Sequence, residues 1–115
     1  MNAPLNLGSL TELKSILGED LYPITEMYAQ QLPAEIERLG ALLANHDMAA
    51  AQQLAHAIKG SSANLGAQEL ARLAAMVERA ALHPPATEAH NAFADMPAVG
   101  QQTLQAMRDG GFLLG

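Results

Sequence analysis

At 115 residues, half of them hydrophobic, the chain is the size of one ordinary domain and can bury a core of its own. Its formal net charge is −6 and no run of Lys or Arg occurs, which excludes a nucleic-acid surface built on clustered cations. With no cysteine it can form neither disulfides nor thiolate metal sites. Residues 1–8 lack the basic and apolar regions of a secretory signal, and no stretch nears the ~18 apolar residues of a membrane span. The expectation is one cytoplasmic domain over residues 1–115, with its core at about 10–107.

Aromatic residues are only 3% of the chain while Ala and Leu are abundant, which favours close-packed helices over strands. Five helical segments follow in chain order. Ser9-Leu10-Thr11-Glu12 has the capping-box spacing and predicts a short first helix ending near Gly18. Asp20 is a candidate cap for the second, whose apolar residues recur at Leu21, Ile24, Met27, Tyr28, Leu32, Ile36, Leu39 and Leu43. Pro33 falls within that pattern and predicts a kink or a break. Asn45-His46-Asp47 reads as a connection, with Asp47 capping a third helix from about Met48 to Leu65 that ends at Gly66.

The fourth segment runs from about Gln68 to Leu82, with Leu70, Leu73, Val77 and Ala80 on one face. Pro84-Pro85 forces a loop. Thr87 is a candidate cap for the fifth, with an apolar stripe of Phe93, Met96, Val99, Leu104 and Met107 that Pro97 interrupts and Gly100 weakens. Gly110-Gly111 ends it, leaving Phe112-Leu113-Leu114 either folded back on the bundle or loose. Short loops between amphipathic helices predict an all-α antiparallel four-helix bundle with a short additional N-terminal helix.

The third helix carries the chemistry. An α-helix advances ~100° per residue, so with Leu54 at zero, Ile58, Ser61, Leu65, Asp47 and Ala51 fall toward one side, read as the core face. His56 falls at ~200°, on the outside. Its surface neighbours are Ala49, Gln52, Gln53, Lys59, Gly60 and Ala63, none large and apolar. An exposed spectator histidine is the plain reading. Against it stands Gly60, because glycine inside a helix costs about 0.5–1 kcal/mol relative to alanine. In so alanine-rich a chain, that glycine implies close approach by another molecule. A neutral imidazole nitrogen is a competent nucleophile, and Lys59 one turn on can meet phosphoryl oxygens as a point charge. Gln52 and Gln53 could hydrogen-bond the ring or a phosphate, or be merely solvated. Ser61 and Ser62 read as packing residues.

His56-Ala-Ile-Lys59-Gly60-Ser61-Ser62, followed by Gly66-Ala67, resembles the signature of histidine-containing phosphotransfer (HPt) domains. The flanking Asn45-His46-Asp47, Leu70-Ala-Arg-Leu73 and Val77-Glu78 agree with it, and the resemblance covers roughly Leu10 to Met107. It implies a phosphorelay carrier. His56 would accept a phosphoryl group from a receiver-domain aspartate and pass it to another receiver, with Lys59 as charge partner and Gly60 as the access position. The receiver domains of a hybrid sensor kinase or response regulator would be the partners, docking on Gly60, Gln52, Gln53, Ala49 and Ala63. The Mg²⁺ would belong to the receiver, so this chain needs no cofactor, and a monomer is expected. With no glycine-rich phosphate loop it is a phosphocarrier and not an autokinase. Two other readings are a metal-binding bundle and an HPt-fold interaction module or phosphate sink without forward relay. His46, His56, His83 and His90 do not have the inward Glu-x-x-His spacing of bundle metal sites. The retained histidine, lysine and glycine argue against a silent module.

Overall fold

The computed structural model describes residues 3–113, and these form six α-helices and no strand. The helices are α1 (Leu7–Leu17), α2 (Leu21–Ala44), α3 (Met48–Asn64), α4 (Gln68–Ala81), α5 (Thr87–Ala94) and α6 (Met96–Asp109), with a 3₁₀ turn, Gly18–Asp20, between the first two. Helices α2, α3, α4 and α6 make the bundle, while α5 packs on α4 and α1 leans on the start of α2. The connections α2–α3 and α3–α4 are three residues each, the length that joins neighbours side by side.

Local chemistry explains the boundaries. The first helix is capped by Asn6, whose side chain accepts the Ser9 N–H, so Ser9 is a helical residue and not the cap expected. Asn6 wins because its own N–H bonds the Gly66 carbonyl at 2.7 Å, which anchors the N-terminal segment to the α3–α4 turn. Gly66 has φ +74°, and a Cβ there would meet the Asn6 carbonyl at 3.0 Å, so the turn needs glycine on both counts. Asp20 stands at the start of α2 but makes no capping bond, whereas Asp47 accepts the Ala50 N–H as expected. Thr87 is the first residue of α5, and Ala86 occupies the cap position.

Pro33 does not break α2, which runs unbroken over 24 residues. The lost hydrogen bond is offset because Leu32 and Ile36, on either side of the exposed proline, are both buried. Of the apolar positions expected inside, Ile24 and Met27 are exposed, and Thr25 takes the buried place between them. Its hydroxyl donates to the Phe112 carbonyl at 2.6 Å, and the Tyr22 hydroxyl donates to the Gly111 carbonyl. Those bonds fold the C-terminal segment back, with Phe112 and Leu113 buried; Leu114 lies outside the described residues. The last expected helix is two, divided at Asp95, because Pro97 fits the first turn of α6 but not a helix interior. Gly100, expected to weaken that helix, instead lets it approach α2: a Cβ there would lie 2.7 Å from Ile36 Cδ1. No helix among the described residues is long and apolar enough to cross a membrane.

Candidate functional site

The face that helix α3 buries is mostly small, so its packing is decided by small side chains. Its buried residues are Ala51, Ala55, Ile58 and Ser62. Ala51 and Ile58 are buried as expected, and with Ala55 and Ser62 the centre of the buried face lies ~70° from Leu54. Leu54 and Ser61 are only partly buried, and Asp47 is an exposed cap. The shift follows from size: alanines let α3 come close to both neighbours, and the bulkier leucine is left at the margin. Ser62 faces inward and shares a 2.7 Å hydrogen bond with the Tyr28 hydroxyl of α2, a bond fully inside the protein. Burial pushes the Tyr28 hydroxyl up to about 12, with Ser62 working against it and Glu35 adding to it.

The same rotation carries His56 toward the α4 edge. The ring remains outside, with 65% of its side chain exposed. It is not alone there. Nδ1 lies 2.6 Å from Oε2 of Glu78 on α4, and the other carboxylate oxygen accepts from Lys59 Nζ, also at 2.6 Å. Gln52 Nε2 reaches the same carboxylate only at 3.5 Å. Glu78 is itself only 16% exposed, so the packing of α3 on α4 fixes where its carboxylate sits. Lys59 holds that carboxyl below the usual carboxylate range, His56 assists, and partial burial opposes them. An ionised carboxylate only accepts, so the short contact calls for a proton on Nδ1, and in the neutral ring the lone pair is then on Nε2.

Gly60 is exposed, and a Cβ there would meet nothing within 4 Å. No packing inside the protein calls for glycine at this position. Ala49, Gln53 and Ala63 are exposed around it, while Gln52 is partly buried toward Glu78. Lys59, expected as a charge partner for phosphoryl oxygens, is paired with Glu78 in this structure. Glu78 is the residue that sequence reasoning passed over: the flanking Val77-Glu78 was noted but given no role. A signal for it existed. His56 lies ten residues before Gly66 and Glu78 twelve after it, so folding the chain back at that turn sets them opposite each other. Among the described residues no three His, Asp or Glu side chains are grouped to hold a metal ion.

The site is an exposed histidine on a helical bundle, backed by a carboxylate and a lysine. The Hpt domain family model matches residues 23–110, most of the chain from the first turn of α2 to the end of α6, and the chain belongs to that family. Such domains act in histidine phosphotransfer within two-component phosphorelays and interact with receiver domains. Neither a curated protein nor a solved structure gives a significant match.

Proposed function

We propose that His56 is the phosphoacceptor of a phosphorelay, taking a phosphoryl group from the aspartyl phosphate of one receiver domain and passing it to another. The observation that carries this reading is the state of the ring. Nδ1 is engaged by Glu78 while most of the imidazole is exposed, which frees Nε2 as the nucleophile. Nε2 attacks phosphorus, the bond to the aspartyl oxygen breaks, and the carboxylate leaves with the electron pair. Lys59 lies one turn along on the same face, and its ammonium has three N–H donors, so it can meet the phosphoryl oxygens while one donor stays on Glu78. Gly60, open on its outer side, gives the rim of the receiver pocket room to close over the ring. Ala49, Gln53 and Ala63 form the flat surround, with Gln52 at its inner margin.

In this reading the chain is a phosphocarrier with no catalytic turnover and no cofactor of its own. Mg²⁺ and the acidic pocket come with the receiver. The protein acts as a cytoplasmic monomer, since docking needs one exposed face and no second copy. The test is to mix it with a panel of phosphorylated receiver domains and follow the label. An acid-labile, base-stable phosphate mapped to His56 is expected. If no receiver of the panel, nor phosphoramidate as a small donor, labels His56, the proposal fails.

A further inference from the structure

Glu78 is placed to do more than select Nε2. We propose that it keeps the Nδ1 proton of His56 in place after phosphorylation, so that this protein carries its phosphoryl group on an imidazolium ring and gives it up readily. The inference rests on the reading of His56 as phosphoacceptor.

Two lone pairs repel at short range unless a proton lies between them. When the Nε2–P bond forms, the ring is cationic as long as Nδ1 keeps its proton. Loss of that proton would set the bare Nδ1 lone pair 2.6 Å from a carboxylate oxygen with nothing between them. Relief would need Glu78 to take up a proton or swing away. Lys59, paired to the other oxygen at 2.6 Å, resists the first, and the mostly buried position of the side chain resists the second. A hydrogen bond accepted by a carboxylate favours the charged form of its donor. Among the described residues, the side chain hydrogen-bonded to the ring is Glu78 of α4, and Lys59 and Gln52 of α3 contact the same carboxylate.

The consequence lies in the outgoing step. A receiver aspartate attacks phosphorus, the N–P bond breaks, and its electron pair returns to Nε2. From a protonated ring the leaving group is neutral imidazole, with the Nδ1 proton never moved. From an unprotonated ring it would be an imidazolide anion, a far poorer leaving group. Accepting and donating are then the same path in reverse, and neither requires a proton to enter or leave. Glu78 acts as a positioning residue: it touches the ring and not the phosphoryl group.

The experiment uses the full chain, labelled with ¹⁵N-histidine and phosphorylated by phosphoramidate, at about pH 8, well above the ordinary histidine range. Expected is a ³¹P-coupled Nε2 on His56 together with a protonated Nδ1. In Glu78→Gln, which keeps the shape and removes the charge, Nδ1 loses its proton and the phosphoryl half-life lengthens about two- to five-fold, the scale of an ion pair this exposed. Circular dichroism confirms that both proteins are equally helical. An unprotonated Nδ1 in wild-type phosphoprotein, or a Glu78→Gln protein unchanged in Nδ1 state or in half-life, overturns the inference alone. Absence of phosphate from His56 overturns the functional reading and this inference with it.

Discussion

The two flanks of helix α3 hold the molecule in different ways. Toward α2 the contact is neutral and dry: Ser62 and Tyr28 share a hydrogen bond within the core, beside Ile58. Toward α4 the outer contact is ionic and wet: one carboxylate of Glu78 is divided between His56 and Lys59, and the histidine is mostly exposed. A buried neutral bond is costly to break and gives a fixed position. An exposed ion pair contributes little to stability, so its members are free to exchange partners during a reaction. One helix thus separates the residues that hold the fold from those we propose to do the chemistry, although they alternate along a single short segment.

That contrast is broken most severely by substitutions on the outer flank. His56→Gln is expected to abolish phosphate uptake completely while leaving helicity and thermal midpoint almost unchanged, because the ring is exposed and its contact is a surface pair. Phosphotransfer and thermal unfolding measured on the same preparation check it. A large fall in midpoint would place His56 among the holding residues. Next in size, Gly60→Glu puts bulk and a negative charge where, in the proposed relay, the acidic pocket of a receiver closes. Like charges forced together at an interface cost several kcal/mol, so transfer is expected to slow at least about ten-fold. Stability is expected to hold, since nothing lies within 4 Å of the added Cβ. Wild-type transfer rates in this variant would remove the argument for close approach.

The outer flank was the more legible of the two, up to a point. His56, Lys59 and Gly60 are within one and a half turns of each other, so helical geometry alone brings them together. Glu78 is on another helix, and its place depends on how α3 and α4 pack. The same dependence misled the reading of the core face. The angular count sets Leu54 on that face, yet it is only partly buried, whereas Ala51 and Ala55 are fully buried because they are small enough for close helix contact. Pro33 gave a strong local signal for a break that seven buried residues along α2 overrode. Pro97 gave a similar signal and was obeyed, since a helix start was available at Met96. Local rules located most helix ends, the Asp47 cap and the exposed histidine. Partners across helices, and the choice between two competing local signals, were set by packing.

The two flanks are also expected to fail at opposite ends of the pH scale. The Tyr28 hydroxyl is raised from 10.0 to about 12 in the fold, so the neutral form is the one the fold prefers. The stability this contributes is fully present below the unfolded value and lost as pH rises through the range up to about 12. Denaturant unfolding across that range is expected to show a loss of roughly 2–3 kcal/mol. Tyr28→Phe, which has no group to ionise, is expected to flatten that alkaline arm, and its persistence in the variant would assign the loss elsewhere.

The acid arm is the smaller effect and the finer test of the comparison. Glu78 is lowered by Lys59 first and by His56 after it, so here the fold prefers the charged form. Its contribution is present above the ordinary carboxylate range of about 4.3 and disappears as pH falls through the lowered value. The loss is expected to be slight, because Lys59 and His56 are 35% and 65% exposed and solvent screens both. Glu78→Gln removes the titrating group, so the difference in unfolding free energy between the two proteins is expected to be small and constant above pH about 5 and to shrink below it. A large and constant difference would mean that Glu78 braces α3 against α4 as a structural member. The outer flank would then hold the fold as the inner one does, and the separation of the two roles along α3 would not stand.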